Sequence, residues 1–359
     1  MSSGFSAVLL SLALGAGSTG EDSWLDLDRE LARLESAPGA SDGVSWGALL
    51  RAFYLFSGEE SSGGNADTSG FAFEDVDLYF AFDAAEFGWR VSADAESGSP
   101  VLQDAHAYWR HAPWFVLTFG QFKPRVVRSG SIAPEQLLFR ERTFLGAVFD
   151  VWDDGVELGG HYDQFDYWLA LTDAENGHES DHFWSLRGEW ALYDVAFADL
   201  EGAREAPNHL RVLLGGLLFD DVALSASDGG GFGFDLALTF GPYAFHGEWA
   251  RLDESFLRSV DVFAGAPLVV GDGQPRSATL SRRIGADGEA ALRLQKADDA
   301  DDTSSLGLCW NWARAPGSGR WIVDLAFIEG DGRDDTLFSI GLNVGTSGLD
   351  RPFAGATPR

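Results

Sequence analysis

The segment 119–144 reads FGQFKPRVVRSGSIAPEQLLFRERTF and carries Lys123, Arg125, Arg128, Arg140 and Arg142 against only Glu135 and Glu141. The whole chain holds 25 Lys and Arg against 56 Asp and Glu, a formal net charge of -31, and Lys123 is one of only two lysines. So much base in one stretch of an acidic chain is chemistry for meeting anions. Arginine makes transient bidentate contacts with carboxylate or phosphate, and fixed charges in a narrow passage with low-dielectric walls set which ions enter. Glu141 is placed to pair with an arginine and hold the segment. The competing reading is that these bases neutralise an acidic wall and fix a loop without touching solute.

Other chemistry finds little support. Carboxylates are so frequent that no pair stands out as an acid/base couple, and no GxSxG elbow occurs. His178 and His182 are four apart, but in a Gly/Asp-rich stretch and not on a helix, so no metal site is expected. The aspartates at 298, 299, 301, 302, 331, 334 and 335 fit no EF-hand spacing and read as solvated loops. The run Gly229-Gly230-Gly231 lacks the GxGxxG pattern and a following helix, and reads as a turn. Cys309, the only cysteine, excludes an intrachain disulfide and reads as a packed wall residue. The acidity argues against nucleic acid. No catalytic residue and no cofactor are expected.

The elements that would position the basic segment alternate with period two. Val44, Trp46, Ala48, Leu50, Ala52, Tyr54 and Phe56 form one apolar face, and Val76-Leu78-Phe80-Phe82 and Phe87-Trp89-Val91 form others. The pattern returns at Phe232-Phe234-Leu236-Leu238-Phe240, Leu306-Leu308-Trp310-Trp312, Trp321-Val323-Leu325-Phe327 and Phe338-Ile340-Leu342-Val344. Period two gives strands with one apolar and one polar face. Gly/Asp/Ser-rich connections are expected at 57–70, 173–181, 297–305 and 329–335, with tight turns such as Gly241-Pro242. Strands of about 10 residues joined alternately by short turns and long polar loops are the pattern of an outer-membrane barrel, and roughly 16 are expected. Closure leaves no unpaired edge in lipid. The opposite faces carry Asp75, Asp77, Arg90, Asp94, Glu157, Arg187, Glu248 and Arg293, expected to line a watery lumen, while Trp and Tyr gather near strand ends as interfacial girdles require. A soluble β-sandwich also alternates, and stays open as the alternative.

The N-terminus has an apolar stretch, Ala7 to Leu14, followed by small residues, and residues 1–18 are expected to be a signal peptide despite an n-region without Lys or Arg. Trp24, Leu27, Leu31 and Leu34 predict a short amphipathic helix within 19–43. The barrel is expected over 44–345 and a tail over 346–359.

Three phrases then carry a resemblance. Phe119-Gly-Gln-Phe-Lys-Pro124, Leu138-Phe-Arg-Glu-Arg142 and Gly155-Val-Glu-Leu-Gly-Gly160 resemble, in order, motifs of the phosphate-selective porin O/P family. Gly241-Pro-Tyr-Ala-Phe-His-Gly-Glu-Trp249, Glu289-Ala-Ala-Leu-Arg293 and Leu306-Gly-Leu-Cys-Trp-Asn-Trp312 resemble later strands of that family. The resemblance implies a 16-stranded outer-membrane barrel, commonly trimeric, passing anions through a constriction lined by Arg and Lys. Here that constriction would be Lys123, Arg125, Arg128, Arg140, Glu141 and Arg142. The sequence departs from the family at Glu74-Asp75-Val76-Asp77, where an Arg-rich strand is usual, at Trp152-Asp153-Asp154, where an Arg is usual, and in continuing past Val344 to Arg359.

The expectation is an all-β transmembrane antiparallel barrel with a short N-terminal helix. It would be exported to the outer membrane, contact its lipids, assemble as a homotrimer and pass small solutes passively, with anions as one preference. A cation-preferring or structural barrel, or a secreted carbohydrate-binding protein or glycosidase, remain the alternatives.

Overall fold

Alternation of apolar and polar residues becomes, in space, a wall with two unlike faces. The computed structural model describes residues 43–61, 64–96, 98–173, 182–192, 201–203, 210–222, 229–253, 258–260, 268–270, 273–299, 301–313, 319–331 and 333–345. The expected leader, the helix at 24–34 and the tail at 346–359 lie outside them, as does His178. Of the first 45 residues only 43–45 are described, and the chain from Trp46 on forms one compact unit.

In chain order the strands are β1 (Val44–Ser61), β2 (Gly64–Asp83), β3 (Phe87–Asp94), β4 (Val101–Ala112), β5 (Phe115–Phe122), β6 (Asp153–Tyr162), β7 (Phe165–Thr172), β8 (His182–Ala191) and β9 (Arg211–Val222). They continue as β10 (Gly229–Phe240), β11 (Tyr243–Leu252), β12 (Arg258–Val260), β13 (Leu268–Val270), β14 (Arg276–Ile284), β15 (Gly288–Lys296), β16 (Ser304–Trp312), β17 (Arg320–Gly330) and β18 (Arg333–Gly345). Sixteen of them close into an antiparallel barrel in which β1 pairs with β18, while β12 and β13 form a separate ribbon.

The outer face is the apolar one. Leu50, Tyr54, Leu78, Phe80, Phe232, Phe234, Leu306, Leu308, Phe338 and Ile340 are all exposed. At the short-turn end stand exposed Trp46, Trp114, Tyr162, Trp190, Tyr243, Trp312 and Trp321, an aromatic band of the interfacial kind. The inner face is polar, with Arg51, Ser185, Arg187, Asp235, Glu248, Thr279, Arg293, Asn311, Ser339 and Asn343 all buried. Gly341 lies opposite Phe53 on the neighbouring strand, and a Cβ at that position would collide with the Phe53 ring, so the small residue lets the ring pack flat on the wall.

Three sequence expectations change. The polar stretches 57–70 and 329–335 are largely strand, because β1 and β18 stay paired from Leu49↔Gly345 to Ser61↔Arg333 and β17 stays paired with β18 as far as Gly330↔Arg333. Backbone pairing continues through both polar stretches. Gly229-Gly230-Gly231 is no turn either: it begins β10, paired with Asp221, Asp220 and Phe219 of β9. In β2, Phe71 packs on Tyr54 of the outer face, with ring centroids 5.0 Å apart, yet Glu74 and the adjacent Asp75 both reach buried arginines inside. The apolar alternation therefore shifts by one residue at Glu74-Asp75, the behaviour of a local bulge that re-aims side chains.

Candidate functional site

β5 delivers the chain into the lumen, and residues 123–152 remain there before β6 begins. The loop contains a one-turn helix α1 (Arg128–Ser131), a 3-10 turn (Pro134–Gln136) and helix α2 (Phe144–Val148). Apolar packing holds it from both flanks. Val126, Val127, Phe144, Leu145, Val148 and Phe149 bury against Phe183 of β8, Leu217 and Phe219 of β9, and Ala250 and Leu252 of β11. Leu138 and Phe139 bury against Phe53 of β1, Ala291 of β15, Cys309 of β16 and Ile322 of β17. Each such side chain contributes on the order of 1.5–3 kcal/mol on burial, so the loop is a fixed part of the interior. Polar anchors set its register. The Thr143 hydroxyl accepts from Gly146 N (2.9 Å) to cap α2, and donates to Ser129 Oγ (2.8 Å). Ser129 in turn donates its hydroxyl and its N–H to the two oxygens of Glu248, at 2.6 and 2.8 Å.

The five bases are buried, none more than 7% exposed. Lys123 pairs with Asp150 at the far end of the same loop and lies 3.9 Å from the Trp152 ring centroid. Arg125 lies over Trp168 of β7 at 4.7 Å. Arg128 opens α1 inside the loop. Arg140 pairs with Glu74 and Glu141, each at 2.8 Å, its N–H bonds Asp324 (3.2 Å), and its carbonyl accepts from Arg51. Arg142 pairs with Asp150 (2.6 Å) and donates to the carbonyls of Ser129 (2.9 Å) and Ile132. Withdrawal from water raises the Glu141 carboxyl to about 7; Arg140 opposes that shift and Glu74 reinforces it.

Most of the side chains expected to line a lumen are engaged with other groups. Asp75 binds Arg51 at 2.6 Å, and Asp94 Oδ1 accepts from Val76 N (3.2 Å) and Glu96 N (2.8 Å). Arg187 grips Glu189 through two N–H groups (2.9 and 2.6 Å), reaches Asp235 at 2.8 Å, and donates to the Val126 carbonyl of the loop (3.2 Å). Arg293 pairs with Glu201, donates to the Glu141 carbonyl (2.7 Å), and covers the Phe139 ring at 4.0 Å.

Among the described residues a cavity of about 100 Å³ lies between the loop and the wall of β1 to β6. Its charged lining is Asp77, Arg90, Asp104 and Glu157 from the wall and Lys123, Arg125 and Glu135 from the loop, with His106 beside them. Four carboxylates thus face three bases. Arg90 bonds Asp104 at 2.9 Å and lies 5.3 Å from the Tyr79 ring centroid. Of the expected constriction residues the cavity takes in Lys123 and Arg125, and of the expected lining residues Asp77, Arg90 and Glu157. Arg128, Arg140, Glu141, Arg142, Asp75, Asp94, Arg187, Glu248 and Arg293 lie outside it; Arg140, Glu141, Arg142, Arg187, Glu248 and Arg293 join the loop to itself or to the wall.

A second segment enters from the opposite mouth. Glu201–Ala203 belongs to the β8–β9 connection, at the short-turn end, and is buried. Glu201 holds Arg293 and accepts from the Leu138 N–H at the loop tip (2.7 Å), and Ala203 N–H donates to Glu289 at 2.5 Å. Sequence reasoning missed Glu201, Arg51 and Asp150. Arg51 was open to it, being an odd-numbered position on a strand whose even positions are apolar. Glu201 and Asp150 carry no periodic signal.

No family model matches the sequence, and no curated protein matches it either. Solved structures do share the architecture. OmpT of Vibrio cholerae lacking loop L8, an outer membrane protein, superposes with a TM-score of 0.54 at 14% identity, covering 84% of this chain and 98% of that one. An anion-selective porin from Comamonas acidovorans gives 0.56 at 10% identity, covering 84% and 99%. OmpF of Salmonella typhi, in complex with daunomycin, gives 0.54 at 8% identity, covering 86% and 99%. The fold is that of the outer-membrane porins. At these identities the likeness is one of architecture, and selectivity has to be argued from this chain's own lumen.

Proposed function

We propose that this chain is an outer-membrane porin of the general type to which the O/P family belongs, exported by its N-terminal segment, assembled as a trimer, and passing small solutes by diffusion. The observation that carries the reading is the closed barrel with an apolar outside, a polar inside and a loop fixed across the lumen. Such a wall satisfies every backbone group in lipid and leaves charge only where water can reach it. Solute passes by the cavity along β1 to β6, and selectivity is set there, because low-dielectric walls focus the field of the nearest fixed charges. Lys123 and Arg125 are the loop bases that attract anions. Arg140 and Arg142 hold the loop.

A second reading, weak cation preference, is favoured by Asp77, Asp104, Glu135 and Glu157 in the same lining. The test is extraction followed by planar-bilayer recording. A porin leaves the membrane only with detergent, migrates differently before and after boiling, and gives discrete conductance steps whose reversal potential reports the preferred ion. A water-soluble monomer without steps refutes the porin reading.

A further inference from the structure

The outer face of this barrel carries a basic cluster that the passage of solute does not use. Arg251 lies near the end of β11, Arg276 begins β14 and Lys296 ends β15, all at the long-loop rim. The register sets Trp249 opposite Arg276 and Arg276 opposite Lys296. Trp249 packs on the exposed Phe232 and Phe234, with centroids 5.6 and 5.1 Å apart, so this row faces outward. Two like charges directly opposite on neighbouring strands repel. They do so in a chain with more than twice as many acids as bases. Among the described residues Lys296 pairs with Asp302 at 2.5 Å, and Arg251 and Arg276 have no ion-pair partner.

Arg276 and Lys296 border a groove of about 710 Å³ lined below them by Ala278, Leu294, Leu306 and Phe327, with Glu329 on the rim row two strands beyond Lys296. Leu294, Leu306 and Phe327 are exposed on the outer wall. A groove of this size is that of a small-molecule cleft, roughly 300–1,000 Å³. Its chemistry is divided along the barrel axis, with the charged row of Arg276, Lys296 and Glu329 at the rim and hydrocarbon below it. In a membrane that is the division between head group and acyl chain.

We propose that Arg251, Arg276 and Lys296 bind the phosphate of a phosphorylated lipid in the outer leaflet, with one of its acyl chains seated in the groove. The anion relieves the repulsion between Arg276 and Lys296, and Arg supplies paired donors to phosphate oxygens. The proposal rests on the porin reading, which turns the long-loop rim to the outer leaflet.

The test is native mass spectrometry of the purified, detergent-held barrel with bis-phosphorylated lipid A. Its comparators are the same lipid without phosphates and inorganic phosphate alone. The wild type is expected to retain the phosphorylated lipid, and Arg276→Gln with Lys296→Gln to lose about tenfold or more of that affinity. The charge-preserving exchange Arg276→Lys with Lys296→Arg is expected to keep most of it. Heat-modifiable migration of each variant shows that the barrel is intact. Equal retention by the double Gln variant, or equal binding of the phosphate-free lipid, overturns the proposal. So does competition by inorganic phosphate at the lipid's own concentration, since the groove would then contribute nothing. Because binding is read without conductance, a barrel that conducts but fails these comparisons refutes the lipid site alone. A chain that never requires detergent refutes the porin reading and the lipid site together.

Discussion

Lys123→Gln removes one positive charge from the lining of the cavity and leaves the loop's other anchors in place, including the Arg142–Asp150 pair at 2.6 Å. A cavity of about 100 Å³ keeps any solute near its lining. At roughly 6 Å in water-like dielectric, one unit charge is worth about 0.7 kcal/mol, a factor of about 3 in the local concentration of an ion. The factor acts in opposite senses on cations and anions, so the permeability ratio moves about tenfold toward cations. Salt reduces it. Debye lengths of about 30 Å at 0.01 M, 8 Å at 0.15 M and 3 Å at 1 M leave shifts of roughly sevenfold, threefold and 1.4-fold. The assay is the reversal potential across a bilayer with a fixed salt gradient, repeated at several mean concentrations, with heat-modifiable migration confirming the fold. An unchanged ratio at low salt refutes the claim that selectivity is set in this cavity. A shift of equal size at every salt points instead to a rearranged loop.

Arg187→Leu strands two buried carboxylates, Glu189 and Asp235, and removes the bond to the Val126 carbonyl; a loss of about 3–5 kcal/mol is expected in urea unfolding of the detergent-held barrel. The raised pKa of Glu141, about 7 against an ordinary 4.5, means that the folded chain binds its proton more tightly than the unfolded chain. This group's contribution to stability is therefore complete below about pH 4.5 and declines as pH rises toward about 7, and Glu141→Gln removes that slope from pH-dependent unfolding. Glu201→Ala leaves the Arg293 guanidinium and the Leu138 N–H without their shared carboxylate. It should release the β8–β9 segment and raise single-channel conductance; unchanged conductance in a folded variant means that this segment does not obstruct the lumen.

Much of the architecture is legible in the sequence because a strand shows its two faces as a period of two. The outward rows of β1, β10, β16, β17 and β18 are the apolar rows read from alternation, and inward Asp77, Arg90, Glu157 and Arg293 are charged positions between them. The phase shift in β2 was visible too, in the paired acids Glu74-Asp75 that interrupt Phe71-Phe73 and Val76-Leu78. The extended ribbons at 57–70 and 329–335 were missed because polar, glycine-rich strands held by backbone bonds look like loops to any reading of side chains.

The basic loop divides sequence from structure most clearly. Its charge, its place after an alternating strand and its contrast with an acidic chain are properties of the residues in order, and the sequence alone determined them. How each base is held is a matter of partners brought in by the fold: Glu74 and Asp324 for Arg140, Asp150 for Lys123 and Arg142, and the ring of Trp168 for Arg125. Coulomb energy depends on separation in space and on the surrounding dielectric. Folding brings those groups within bonding distance, so only the tertiary structure separates Lys123 and Arg125, in the lining of the cavity, from Arg140 and Arg142, tied to the loop and the wall.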